Sequence, residues 1–452
     1  MSASPFAVPM KHPPQSADSP WPIRAVIEGF YGPPWSWASR IDIMKWCADR
    51  GMTHYLYAPK DDRLHREQWR EPYGPEMLDG FERLVGERSL LVGFGISPGL
   101  SIDYTSSTDR LALGAKVDQL VNLGVKLIAL LFDDIPVQPE LGRHHAELTT
   151  WLRGHLDGRA EVLLTPTEYT TIESTQYLDA LAEGLPSDVA VGWTGPTVVC
   201  DEITLAQAQA RSAALGGRRP FIWDNYPVND AIMADRLFLG PLRGRSADLA
   251  SVCSGYAANP MTQPQASKPA LASIAGFLRG EDSNDAWEAD IGDLRVFADA
   301  CDGELPRQLV AAALSGAASS DGLDDLERWL RAARSCTAPG LEGEAEPWLA
   351  QVHDEASVGI VAVKMLRATS QPIVDGSERE RVTQRALALA HLWPGVRRSA
   401  FTVMGPRCSF RPVLAQGSDG EWLYRSNSVS DDQNAIDALV RSALRAASQV
   451  GT

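Results

Sequence analysis

Two consecutive carboxylates, Asp133 and Asp134, stand at the end of an apolar run, residues 126–132, and just ahead of Ile135-Pro136. Inside a strand, neighbouring side chains point to opposite faces, so adjacent aspartates there share no site. At a strand tip, where the chain turns, both can lean over one cleft. Two carboxylates that close do not ionise independently, and one is pushed toward holding a proton near neutral pH. A carboxyl in that state is what general acid catalysis requires. An Asp-Asp pair ahead of a helix also serves as an N-cap with favourable dipole placement. The pair therefore takes its meaning from whatever else the chain brings to the same place.

The elements that would position it are legible from periodicity. Short apolar runs fall at residues 23–27, 53–58, 90–96, 126–132, 160–164, 189–193, 220–223 and 250–257. Between most of them lie stretches with helical spacing, at 41–50, 75–87, 109–123, 147–156, 176–183 and 205–215. Strand alternating with helix about eight times predicts an α/β fold of the (β/α)8 TIM-type barrel class. A doubly wound sheet is the weaker alternative, because no Gly-x-Gly-x-x-Gly follows the first run. With 452 residues, the chain has room for a barrel of about 250 residues and a second domain.

The unusual residues fall just after the strands. The first run is followed by Glu28-Gly29-Phe30-Tyr31-Gly32, the second by Lys60-Asp61-Asp62 and the third by Ser97-Pro98-Gly99. After the fifth comes Pro166-Thr167-Glu168-Tyr169, and after the sixth Thr194-Gly195-Pro196. Trp223-Asp224-Asn225, then Asn229-Asp230, follow the seventh, and Asn259-Pro260 the eighth. In a barrel all of these converge on the C-terminal rim, where active sites of this fold lie. Carboxylates, amides, one lysine, a tyrosine and tryptophans suit a sugar, whose hydroxyls take polar groups while aromatic faces cover its apolar side. No phosphate-cradling loop with Lys-Ser/Thr and no Gly-x-Ser-x-Gly elbow is present.

No metal is expected. His144-His145 with Glu147 reads as solvated helix surface, and His54 and His65 as packing or supporting groups. Asp61-Asp62 reads as pairing with Lys60, Arg63 or Arg66. The six scattered cysteines, with no Cys-x-x-Cys spacing, read as reduced thiols of a cytoplasmic protein. A formal charge of −16 argues against nucleic acid and acidic membranes as partners, and no stretch approaches a membrane span.

Residues 1–21, proline-rich and without an apolar signal core, read as a disordered tail; 22–280 as the catalytic barrel; 281–452 as a helical bundle domain. Helices are expected at 304–318, 323–335, 346–368, 378–391 and 434–450. Residues 281–293 look polar and acidic, and 401–432, with Gly405, Pro406, Pro412 and Gly417, look like a long irregular connection. Trp329, Trp348 and Trp393 read as core; Trp422, in the irregular stretch, is open between core and ligand contact. A helical unit of this kind can pair with a second copy, so a homodimer through it is expected.

The rim motifs resemble those of the O-GlcNAcase family, glycoside hydrolase family 84. The resemblance rests on Val26-Ile27-Glu28-Gly29-Phe30-Tyr31-Gly32, Tyr55-Leu56-Tyr57-Ala58-Pro59-Lys60-Asp61-Asp62, Leu131-Phe132-Asp133-Asp134-Ile135, Pro166-Thr167-Glu168-Tyr169, Trp193-Thr194-Gly195-Pro196, Trp223-Asp224-Asn225 and Asn259-Pro260, in that order. It implies a β-N-acetylglucosaminidase that retains configuration by substrate assistance, without a cofactor. By the same resemblance Asp133 would hold the N–H of the 2-acetamido group, Asp134 would be general acid and then base, and Tyr169 would meet the acetamido oxygen. Gly29, Lys60, Asn225, Asp230 and Asn259 would bind the sugar, and Trp223 would wall it. The expected substrate is a GlcNAc-bearing glycoprotein, glycopeptide or glycoside, with O-GlcNAc on Ser/Thr foremost because no secretion signal or carbohydrate-binding module is recognisable. Hyaluronan or chitin fragments are the near alternative, and a non-catalytic GlcNAc-binding protein the more distant one.

Overall fold

The structure, a computed structural model, describes residues 19–315, 320–370, 376–405, 412–416, 422–426 and 434–450. Eight strands close into a parallel barrel in sequential order. They are β1 (Arg24–Glu28), β2 (His54–Tyr57), β3 (Leu91–Ile96), β4 (Leu127–Leu131), β5 (Glu161–Thr165), β6 (Ala190–Trp193), β7 (Pro220–Asp224) and β8 (Gly255–Ala258). Helices α1 (Trp37–Ala48), α2 (Pro75–Glu87), α3 (Ser107–Leu123), α4 (Leu141–Leu156), α5 (Gln176–Gly184), α6 (Leu205–Ala214) and α7 (Pro264–Arg279) surround it. The fold is the expected (β/α)8 barrel with a helical region after it.

Strand periodicity sorts the side chains. Ala25, Ile27, Leu56, Ala58, Leu127, Ala129, Leu131, Leu163, Phe221, Trp223 and Ala257 fill the lumen, two residues apart along each strand as the pleat demands. The intervening residues, among them Val26, Tyr55, Ile128, Leu164 and Ile222, pack beneath the helices in a separate cluster. Continuing the lumen parity past the strand ends brings Gly29, Lys60, Asp133, Asn225 and Asn259 to the rim. Trp21, assigned to the tail, is instead buried against Tyr256 and Phe277.

After α7, Gly280 takes φ 85° and closes the helix. The polar, acidic segment 281–293 forms α8 (Ser283–Ile291), capped by Asp282, whose side chain accepts from Asn284 and Asp285 N–H. Its Trp287 and Ile291 are one turn apart and buried. Then come α9 (Arg295–Asp302), α10 (Glu304–Leu314), α11 (Ser320–Ser335), α12 (Glu346–Thr369), α13 (Gly376–Val396) and α14 (Ala435–Val450). Their core contains Trp348 and Trp393, with Trp329 partly buried. It also takes in Leu237, Leu239 and Met261 from the loops after β7 and β8, so the helices brace the rim.

Within 401–432 the irregular reading is corrected for two described segments, while residues 406–411, 417–421 and 427–432 lie outside the described residues. Residues Pro412–Gln416 (β9) and Trp422–Ser426 (β10) pair as an antiparallel hairpin. Val413-Leu414 and Leu423-Tyr424 flanking Gly417-Ser418-Asp419-Gly420 are a strand–turn–strand signal. Cys47, Cys200, Cys253, Cys301 and Cys336 are free thiols; Cys408 lies outside the described residues. No helix among the described residues is long and apolar enough to cross a membrane.

Candidate active site

The barrel rim joins all nine singled-out residues. Asp133 is 6% exposed and its Oδ2 pairs with the ammonium of Lys60, itself buried. Lys60 Nζ also lies 5.7 Å from the ring centroid of Trp223, within the range of cation–π attraction. Trp223 Nε1 donates to Asn225 Oδ1 at 3.1 Å, and Asn259 Nδ2 donates to the same oxygen at 2.9 Å. Asn259 Oδ1 accepts from Gly29 N at 3.2 Å. Asp134 Oδ1 accepts from the Tyr169 hydroxyl at 2.8 Å, and Oδ2 from the Tyr31 hydroxyl at 2.7 Å. Tyr31 N donates to Asp230 Oδ2 at 2.7 Å, which brings in the last of the nine.

The turn after β4 lets both aspartates face this rim. Asp134 has φ 56°, a left-handed conformation that Asp tolerates better than most residues but still at some cost. Gly29 is needed for a different reason: a Cβ there would lie 2.4 Å from Trp223 Cζ2. Only a hydrogen fits between that backbone and the indole.

Each supporting loop is anchored by buried polar groups. Glu28 takes a bidentate ion pair from Arg40 at 2.8 and 2.9 Å, the N–H of Trp35 at 2.9 Å and the Tyr55 hydroxyl. Such full satisfaction is what makes a buried charge tolerable. Asp224, before Asn225, is held by Arg245 at 2.6 and 2.8 Å and by the Tyr256 hydroxyl. Among the described residues Asp62 does not pair with a cation as expected; it accepts from Tyr57 and Tyr73 hydroxyls at 2.9 and 2.6 Å and from Leu64 N–H. Lys60 is thereby left for Asp133.

His145 is a clear correction, for it is fully buried rather than solvated. Its ring stacks on Phe132 with centroids 3.7 Å apart and planes 2° from parallel. Its nitrogens meet the hydroxyls of Tyr104 and Tyr177, each at 2.8 Å. Burial pushes its pKa down to about 3, so the ring is neutral. Tyr177 accepts from Thr167 N–H at 3.0 Å. His145 thus ties the β4 tip, through Phe132, to the β5 tip, through Thr167. Helix α4 begins at Leu141, so 145 shares the face of Leu148, Leu152 and Leu156. That periodicity was the available signal. His54 and His65 are buried packing groups, as expected.

The electrostatics depart from one expectation. Enclosure by the rim pushes the Asp134 carboxyl up, but Lys60, the hydroxyls of Tyr31 and Tyr169, and Arg66 together bring it below the ordinary carboxylate range. Asp134 is therefore held ionised, not protonated. Asp230 moves the other way, raised by burial and by the charge of Asp134 against the N–H of Tyr31. Arg66, expected only as a partner of Asp61-Asp62, instead donates to the Tyr31 hydroxyl and to the Asp134 main-chain oxygen, and Tyr31 had no assigned role. Tyr31 stands in a quoted motif, but the approach of Arg66 depends on a loop that no spacing rule describes.

Residues 24–303 match the family model described as beta-N-acetylglucosaminidase. The chain is 34% identical over 272 residues to Protein O-GlcNAcase of Rattus norvegicus and, to the same extent, of Mus musculus. That stretch is 56% of this chain but 30% of each relative. Among solved structures, a mutant of the Thermobaculum terrenum O-GlcNAc hydrolase has a TM-score of 0.80 at 24% identity and covers 96% of both chains. This last likeness is one of fold.

Proposed function

The chain belongs to the beta-N-acetylglucosaminidase family, and from that premise we propose a retaining hydrolase that removes terminal β-linked N-acetylglucosamine with the help of the substrate's own acetamido group. The observation that carries the reading is the divided use of Asp133. Its Oδ2 is engaged by Lys60, while Oδ1 is buried without a partner among the described residues. A buried acceptor left unpaired costs about 1–3 kcal/mol or more, and an amide N–H from the sugar satisfies it.

With that N–H held, the acetamido oxygen faces C1. It forms a bond to C1 as the C1–O bond to the leaving group breaks, and Asp134 gives its proton to the departing oxygen. The product is an oxazolinium ion, the protonated oxazoline, whose N–H stays with Asp133. Asp134, now a carboxylate, takes a proton from water as that water adds at C1 and opens the ring. In the usual retaining glycosidase a second protein carboxylate, about 5–5.5 Å away, is the nucleophile. Here the adjacent pair suffices because Asp133 serves the amide. Tyr169 donates to the acetamido oxygen. Lys60, Asn225, Asp230, Asn259 and the Gly29 backbone bind around the sugar, against Trp223.

Asp134 must take up a proton when the sugar enters. Drawing the Tyr169 hydroxyl to the acetamido oxygen removes one donor that favours the carboxylate, and displacing water from the rim opposes the charged form further. Both changes raise its pKa in the direction an acid needs.

The names of the rat and mouse relatives favour O-GlcNAc on Ser/Thr of proteins as the substrate. Incubating the purified protein with O-GlcNAc peptides and with polymeric hyaluronan tests this. Release of GlcNAc from the peptide is expected. Release from the polymer alone would shift the assignment to polysaccharide, and binding without release would make the protein a GlcNAc receptor.

A further inference from the structure

We propose that Arg66 and Tyr31 form a positioning pair for Asp134, in which Arg66 fixes the Tyr31 hydroxyl so that its proton points at the acid's carboxylate. The inference rests on the reading of Asp134 as the proton donor. Arg66 is 8% exposed, in the loop between β2 and α2. Its Nη1 donates to the Tyr31 hydroxyl oxygen at 2.7 Å, and its Nη2 to the main-chain oxygen of Asp134 at 3.3 Å.

The direction of the chain follows from donor inventory. A guanidinium only donates, so the Tyr31 oxygen is the acceptor in the first bond. The single phenolic proton is then committed to Asp134 Oδ2, at 2.7 Å. Water in place of Arg66 would impose no such direction, since it accepts as readily as it donates. Arg66 also grips the carbonyl of the residue with φ 56°, so one cation braces the turn and orders the carboxylate. Tyr31 N binds Asp230, which links the pair to the far side of the rim.

The groups facing Asp134 come from four loops. Lys60 and Arg66 follow β2, Tyr31 follows β1, Tyr169 follows β5 and Asp230 follows β7, with Asp133 adjacent in the chain. Tyr169 has a second task at the acetamido oxygen. Tyr31 has no such assignment and stays available to hold Oδ2 through the catalytic cycle. It favours the carboxylate and so sets how readily Asp134 takes up its proton. The pair keeps the acid's lone pair aimed and limits premature protonation.

The test combines two readouts on wild type, Tyr31→Phe, Arg66→Gln and the double variant. The first is the pH profile of kcat/KM on an aryl N-acetyl-β-glucosaminide, whose basic limb reports loss of the acid's proton in the free enzyme. The second is a carbon-13 titration of the Asp134 carboxyl in the unliganded protein, assigned with Asp134→Asn, which needs no turnover. Tyr31→Phe removes a donor to the carboxylate, and Arg66→Gln removes a cation and unfixes that donor. Each should move the limb and the carboxyl titration upward, by roughly half to one pH unit, in variants whose melting temperature is near wild type. The double variant should match the larger single shift, because Arg66 acts through Tyr31. Activity lost with titration unmoved, a downward shift, or single shifts that add in full would overturn the proposal. A wild type without turnover would fail the hydrolase reading, while the carboxyl titration would still decide the pair.

Discussion

The hydroxyl of Tyr169 lies 2.8 Å from Oδ1 of Asp134, so the group assigned to the acetamido oxygen is bonded to the group assigned to the leaving oxygen. Substrate binding must separate them, and the separation frees both for their tasks. If Asp134 is the proton donor, its removal matters most where the leaving group needs a proton. Asp134→Ala should lower kcat/KM on O-GlcNAc peptides by about 10²–10⁴-fold, with a much smaller loss on dinitrophenyl glycosides. Equal losses on both, in parallel assays, would remove Asp134 from that role.

Gly29→Ala tests the wall of the site. The added Cβ would lie 2.4 Å from the Trp223 ring, too close for the indole to stay. The expected outcome is a raised KM with altered Trp fluorescence, and a stability loss of about 1–3 kcal/mol typical of overpacking. An unchanged KM would mean that Trp223 does not line the sugar's position.

His145 stacks behind the turn that carries Asp133 and Asp134 and is expected to act only by holding it. His145→Leu preserves bulk but leaves the Tyr104 and Tyr177 hydroxyls without that partner. A stability loss of about 1–3 kcal/mol in urea, with kcat lowered alike for good and poor leaving groups, is the expected pattern. A variant as stable and active as wild type would refute this support.

Glu355 predicts a pH dependence of stability far from the site. Burial raises its carboxyl to about 7, against hydrogen bonds from Gln351 and Asn434 that favour the charged form, with the charge of Asp437 adding to the rise. The folded state then binds the proton more tightly than the unfolded state, so unfolding releases it. Stability from this group is full below pH about 4.5, falls as pH rises toward about 7 and is lost above, a change of up to about 3 kcal/mol. The melting temperature of wild type should fall relative to Glu355→Gln across that window. Parallel curves for the two proteins would contradict the assignment.

The barrel was legible because each strand carries its own apolar run and each rim residue follows one within a few positions. Lys60, Asp133, Asn225 and Asn259 could be gathered from that rule alone, since lumen parity continues past the strand ends. What escaped was anything set by contacts between loops. Arg66 reaches Tyr31 and Asp134 across 35 and 68 residues of sequence, and no local pattern encodes that meeting. His145 was misread because two adjacent histidines suggest a polar surface, although the apolar face of Leu148, Leu152 and Leu156 passes through it. In 281–293 the acidic composition concealed Asp282 as a cap and Trp287 and Ile291 as a buried stripe. The protonation of Asp134 was also beyond sequence, because it depends on two hydroxyls and two cations brought from other loops.

The central claim is that the substrate's acetamido oxygen attacks C1 while Asp133 holds the amide. The most direct measurement is wild-type kcat/KM on a series of aryl glycosides whose N-acetyl group carries zero to three fluorines. Each fluorine weakens the carbonyl as a nucleophile, so a steep monotonic fall is predicted. A flat dependence would contradict substrate assistance and require a protein nucleophile instead.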